Sequence, residues 1–121
     1  MAISVYDKVF EDIHFQASPL ELGEYEACIF RNCDFSKAQL AEFRFLECEF
    51  VECDLSNARL LEVVFREVEF VKCKMLGLHF EECNHNTFEA SFVECQLDHS
   101  SFYQRNRNHF LFKTCRLVEV D

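Results

Sequence analysis

The stretch Cys28-Ile29-Phe30-Arg31-Asn32-Cys33-Asp34-Phe35-Ser36-Lys37-Ala38-Gln39-Leu40 places a large apolar side chain at every fifth position, Phe30, Phe35 and Leu40. A small one stands two residues before each, at Cys28, Cys33 and Ala38, and polar residues fill most of the space between. The large positions continue in both directions: Phe10, Phe15, Leu20 and Tyr25 upstream, then Phe45, Phe50, Leu55, Leu60, Phe65, Phe70, Met75 and Phe80 downstream. A period of five fits neither an α-helix at 3.6 nor a coiled coil at 3.5. It is no simple strand either, because alternation by two falls out of phase after five residues. A chain that turns a corner every five residues satisfies it, with one large and one small side chain pointing inward per unit.

Four such units close a square coil of twenty residues, and the sequence tests this directly. One column of the stack reads Phe10, Phe30, Phe50, Phe70, and the small column of the next face reads Cys33, Cys53, Cys73. After residue 85 the phase slips by two, making Phe92, Leu97, Phe102, Phe112 and Leu117 the centres, preceded by Ala90, Cys95, Ser100, Phe110 and Cys115. Both columns survive the slip, through Phe92 and Phe112 and through Cys95 and Cys115. The fold class expected is therefore all-β: a right-handed quadrilateral parallel β-helix of about five to six coils, stacked at ~4.8 Å into a rod ~25 Å long.

Composition agrees. The 121 residues suit one domain, with half of them hydrophobic, 15 Phe, two Gly and one Pro. So few Gly and Pro leave little room for ordinary hairpin turns, so the corners must be built without them. Residues 1–9 are expected to form an N-terminal cap or a loose strand, since Lys8 occupies a small inward position, and residues 10–121 form the β-helix. The repeat fails on one face, whose centres run Tyr25, Phe45, Phe65, His85 and Arg107, with irregular points near 84–88 and 104–109. A buried unpaired guanidinium is costly, so the backbone is expected to bulge at both points and send Arg105 and Arg107 to solvent. That bulge is either a tolerated solenoid insertion or a contact patch of two cations set into an acidic rod. At the end, Val120-Asp121 stops within a unit, and an uncovered edge invites pairing. Truncation of a longer chain or end-to-end homodimerisation is expected there.

The cysteines fall at C-x4-C, as at Cys28/Cys33 and Cys48/Cys53, wider than the close C-x2-C pairs that mark structural zinc sites. Stacked in columns their Cβ atoms stand too far apart for disulfides, and they are expected to be small core residues with free thiols. His14, His79, His85, His99 and His109 show no nucleophile–base spacing, and there is no Gly-rich phosphate loop. With a filled interior and no pocket, no cofactor and no enzymatic activity are expected. No apolar run approaches the ~20 residues that span a bilayer, and the start carries no secretory signal, so a cytoplasmic location is expected.

Acidic residues number 22 against 12 basic, a net charge of −10, which argues against direct nucleic-acid binding and suits a basic partner or plain solubility. Glu42, Glu62 and Glu82 share an outward column, as do Glu47 with Glu67 and Glu49 with Glu69. Like charges stacked on neighbouring strands repel. The columns are either an ordinary solvated face or a regular array of negative charge comparable to the phosphate rows of DNA.

Units such as Cys33-Asp34-Phe35-Ser36 and Cys53-Asp54-Leu55-Ser56-Asn57-Ala58 resemble those of the pentapeptide-repeat family. Within it, Asp7-Lys8-Val9-Phe10 and Cys28 to Ser36 are similar to the N-terminal part of the quinolone-resistance (Qnr) proteins. Phe102-Tyr103, a polar interruption, then Phe110 and Phe112, is similar to their middle. The resemblance implies a non-catalytic DNA mimic that binds type II topoisomerase, DNA gyrase or topoisomerase IV, and protects it from quinolones. The alternative is a generic protein-interaction scaffold. On either reading the expected contact residues are Glu42, Glu47, Glu49, Glu62, Glu67, Glu69, Glu82, Arg105 and Arg107.

Overall fold

A computed structural model of the protein describes residues 2–84, 88–103 and 110–120. Its strands are short because each corner ends one: β1 (Ile3–Tyr6), β2 (Val9–Glu11), β3 (Gly23–Glu26), β4 (Ile29–Arg31), β5 (Arg44–Leu46), β6 (Glu49–Val51), β7 (Val64–Val71), β8 (Phe88–Val93) and β9 (Phe110–Lys113). All pair in parallel with the strand one coil away, β1 with β3, β3 with β5, β5 with β7, and likewise β2 with β4, β4 with β6 and β6 with β7. β7 is long enough to run across one corner and serve both series, and β8 and β9 follow it. The result is a parallel β-solenoid.

Register confirms the twenty-residue coil. On face 1 the Cα partners are Phe10 with Phe30, Phe30 with Phe50, Phe50 with Phe70, Phe70 with Phe92 and Phe92 with Phe112. Six rungs of one column thus enclose five turns, and the offset changes from twenty to twenty-two once only along it. The rings stack at 4.8, 4.8, 5.0, 5.2 and 5.2 Å, close to the ~4.8 Å strand spacing. Edge-on contacts between faces, such as Phe45 with Phe50 at 5.2 Å, lock neighbouring columns together. Face 2 has Phe15, Phe35, Leu55, Met75 and Leu97 as buried centres, face 3 Leu40, Leu60, Phe80 and Phe102, and face 4 Tyr25, Phe45 and Phe65.

The fourth column on face 4 departs from strict repetition. Phe65 pairs with Phe88, three residues beyond the repeat position, and the register shifts between Phe65 and Val68. Phe88 is buried against Phe65, Phe80 and Phe110, so an aromatic ring fills the place that strict counting gave to His85. Just before it, residues Phe80–Glu82 tighten into one 3-10 turn, which begins to absorb the inserted length. His85, Arg105, Arg107 and the run 104–109 lie outside the described residues, as does most of 84–88.

The corners explain how a chain with two glycines makes so many turns. Among the described residues, sixteen non-glycine residues and Gly77 have φ between +51° and +69°. Each stands two residues after a centre. A left-handed non-glycine residue costs roughly 1–2 kcal/mol. The cost is offset locally, because corner N–H groups donate to the next coil, as from Glu42 to Leu61 O at 2.9 Å, Glu47 to Arg66 O at 2.8 Å and Glu52 to Val71 O at 2.9 Å.

The small inward positions complete the core. Buried cysteine thiols donate to carbonyls of the preceding coil, Cys53 to Phe30 O at 3.2 Å, Cys73 to Phe50 O at 3.2 Å and Cys95 to Phe70 O at 3.3 Å. Ser100 satisfies its buried hydroxyl by donating to Met75 O at 2.8 Å and accepting from Leu78 N at 3.0 Å. Lys8, by contrast, is exposed, with its Nζ 5.1 Å from the Phe10 ring centre. The first coil begins before residue 10, because β1 lies in register on β3. There Gly23 faces Ile3, and a Cβ on Gly23 would run into the Ile3 carbonyl. Gly23→Ala should therefore push the first coil away and lower unfolding stability by about 1–3 kcal/mol in urea denaturation.

Candidate interaction surface

The outward side chains inherit the stack's order, so equivalent residues on successive coils form rows. Glu42 and Glu62 are exposed corner residues between faces 3 and 4, and Glu47 and Glu67 are exposed corner residues between faces 4 and 1. Glu49 and Glu69 lie one step further onto face 1 in direct register. Two glutamate rows therefore border face 4, one at each corner. Among the described residues Glu42, Glu47, Glu49, Glu67 and Glu69 make no ion pair; Arg44 pairs with Glu24 and Arg116 with Asp98, while His14, His79 and His99 stand beside Asp34, Glu81 and Glu119.

Glu82 does not extend the first row as strict repetition requires. It stands in the 3-10 turn without the left-handed corner conformation. The Glu62 amide donates to Glu82 O, and the Glu62 carboxylate accepts from Asn84 Nδ2 at 3.2 Å. The cause is the insertion on this face, which moves the chain out of phase at this coil. Arg105 and Arg107 lie outside the described residues.

Sequence reading also passed over several contributors. Glu89 joins Glu67 and Glu69 around an open groove of about 550 Å3 whose wall includes Ser91 and the exposed Leu111; its signal was the two-residue slip, which places it after Glu67. Face 4 is not uniformly acidic, since Arg44 bonds Glu24 at 3.0 Å across neighbouring strands. Leu46 and Val64 are buried although their phase points them outward. Apolar residues at outward positions were the available signal.

Face 2 carries a second regular feature. The Asp34 and Asp54 carboxylates each accept from the amide two residues on, Ser36 and Ser56, at 2.9 Å. Hydrogen bonds from Ser36, with His14 adding to them, hold the Asp34 carboxyl below its usual range. The cysteines are all unbridged, and burial pushes the Cys48 thiol up to about 12 and raises Cys33 and Cys115 as well. Among the described residues no group of three His, Cys, Asp or Glu side chains is placed to hold a metal. No helix among them is long and apolar enough to cross a membrane.

A family model described as a pentapeptide repeat region matches residues 23–89 and 44–121. A search of curated proteins gives no match. Among solved structures the chain is similar to a trypsin-treated variant of QnrB1, a plasmid-mediated fluoroquinolone resistance protein, at 17% identity over 98% of this chain and 83% of that one, with a TM-score of 0.49. Full-length QnrB1 aligns at 12% identity over 95% and 93% of the two chains, also with a TM-score of 0.49. A pentapeptide repeat protein, Rfr23, from the cyanobacterium Cyanothece 51142 aligns at 10% identity over 97% and 86%, with a TM-score of 0.42.

Two outcomes follow from this surface. Glu69→Gln removes a like-charge contact with Glu49, so it should raise unfolding stability by about 0.2–1 kcal/mol at low salt and by less at 1 M salt. Thiol labelling followed by intact mass should find eight free thiols under denaturing conditions, with Cys115, the one only partly buried, reacting first in the native protein.

Proposed function

The chain belongs to the pentapeptide-repeat family, and from that premise we propose that it is a non-catalytic DNA mimic that engages the DNA-binding groove of a type II topoisomerase, DNA gyrase or topoisomerase IV. The observation that carries the proposal is the pair of glutamate rows bordering face 4, whose carboxylates are left without cationic partners among the described residues. Left-handed corners favour Gly, Asn and Asp, yet seven of them carry Glu: Glu42, Glu47, Glu52, Glu62, Glu67, Glu94 and Glu119. With Asp7 and Asp12, nine of the sixteen non-glycine corners among the described residues carry a carboxylate.

The charge density is of the right order. Residues 23–82 hold thirteen acidic and seven basic side chains, a net −6 over three coils. At ~4.8 Å per coil this is about 0.4 charge per Å, against about 0.6 for duplex DNA. A groove lined with Lys and Arg for DNA would attract such a rod and release it as salt rises. The similarity of Asp7 to Phe10 and of Cys28 to Ser36 to the N-terminal part of the Qnr proteins is the reason to look for quinolone protection. A cytoplasmic location goes with this role and with free thiols.

The test is a supercoiling assay with gyrase and topoisomerase IV, with and without a fluoroquinolone. The protein should inhibit the enzyme or relieve the drug, and the effect should fade at high salt. A Glu47→Gln/Glu49→Gln/Glu67→Gln/Glu69→Gln variant should lose most of it while melting at or above the parent temperature. Absence of both effects across a wide concentration range would leave a protein-interaction scaffold with another partner.

A further inference from the structure

The first coil separates from the second on face 3. Ala17 and Ser18 donate to His14 O at 3.2 and 3.0 Å within their own coil. Among the described residues no main-chain hydrogen bond joins residues 17–21 to residues 37–41, although Gln39 and Arg59 are bridged one coil further on. Leu20 is only partly buried, whereas Leu40 and Leu60 in the same column are fully enclosed. The separation opens a cavity of about 240 Å3 walled by Phe15, Leu20, Phe35, Leu40 and Phe43. A recess open to solvent beside an inward column was not expected from the repeat, and it stands where Leu20 is only partly covered.

Charge at the mouth selects the occupant. In a protein of net charge −10, Lys37 is the only charged residue among the described residues lining this cavity. An adjoining groove continues from Lys37 to Arg59 on the next coil and reaches Glu82 on the coil after that. Neither cation makes an ion pair among the described residues. The Glu42 and Glu62 row stands at the opposite corner of this face, so the charge on the cavity's own lining is that of Lys37.

We propose that the cavity between the first two coils binds a small amphiphilic anion, an alkyl or aryl carboxylate whose apolar part enters between Phe15, Leu20 and Phe43 and whose head meets Lys37. The volume lies just below the roughly 300–1,000 Å3 of sites for drug-sized ligands, which limits the apolar part to one ring or a short chain. The proposal does not depend on the acidic rows.

Octanoate, octanol and octylammonium are titrated into the full chain, followed by calorimetry and by the methyl resonances of Leu20 and Leu40. Octanoate should bind saturably, shift both leucines and exceed octylammonium. Lys37→Asn, chosen because Asn tolerates the left-handed corner, should weaken octanoate by about two- to fivefold, the range of an exposed ion pair, and leave octanol unchanged. Ala38→Leu should fill the cavity and abolish binding of both. No saturable binding, binding that leaves Leu20 and Leu40 unmoved, or octylammonium binding as tightly as octanoate overturns the proposal. The methyl shifts in the parent chain decide the matter even if Ala38→Leu does not fold.

Discussion

A chain that turns a corner every five residues must hold a residue at positive φ at nearly every corner, and in this protein sixteen of those residues are not glycine. Each alone is unfavourable by roughly 1–2 kcal/mol, so no isolated coil could keep its shape. What holds the corners is stacking: the strained residue's amide reaches the coil beside it, and the large side chain two positions earlier packs on its equivalent, on face 1 as flat rings about 5 Å apart. Strain is local and compensation comes from the neighbouring coil, so the coils stabilise one another as a stack.

The same dependence governs where the structure is irregular. At Phe65 and Phe88 the register slips by three and then recovers to two, while the Phe70–Phe92 column passes through unbroken. One face can absorb an insertion because the other faces keep the coils aligned. The first coil shows the opposite case. Its third face comes away from the second coil between residues 17 and 21. The cavity beside Lys37 follows from that loss of stacking.

Surface chemistry is also set by the stack. A side chain on a solenoid repeats its position every coil, so identical residues become rows without any dedicated site. Glutamate at corners gives rows bordering face 4, while Asp34 and Asp54 are used internally to accept the amides of Ser36 and Ser56. Acidic residues thus divide into those that accept backbone amides and those turned to solvent at the corners.

The sequence alone determined the coil, its period, the inward columns and the two-residue slip, because a side chain that points inward every fifth residue leaves a pattern that nothing else produces. It also placed Glu42, Glu47, Glu49, Glu62, Glu67 and Glu69 outward. It could not decide that Phe88 would take the place counted for His85, or that Glu82 would leave its row, because an insertion can be absorbed at several points and burial of an aromatic ring selects among them. Nor could it show the pairing of Arg44 with Glu24, the covering of Leu46 and Val64, or the opening beside Leu20. Those depend on which coils are in contact, and contact is a property of the assembled stack.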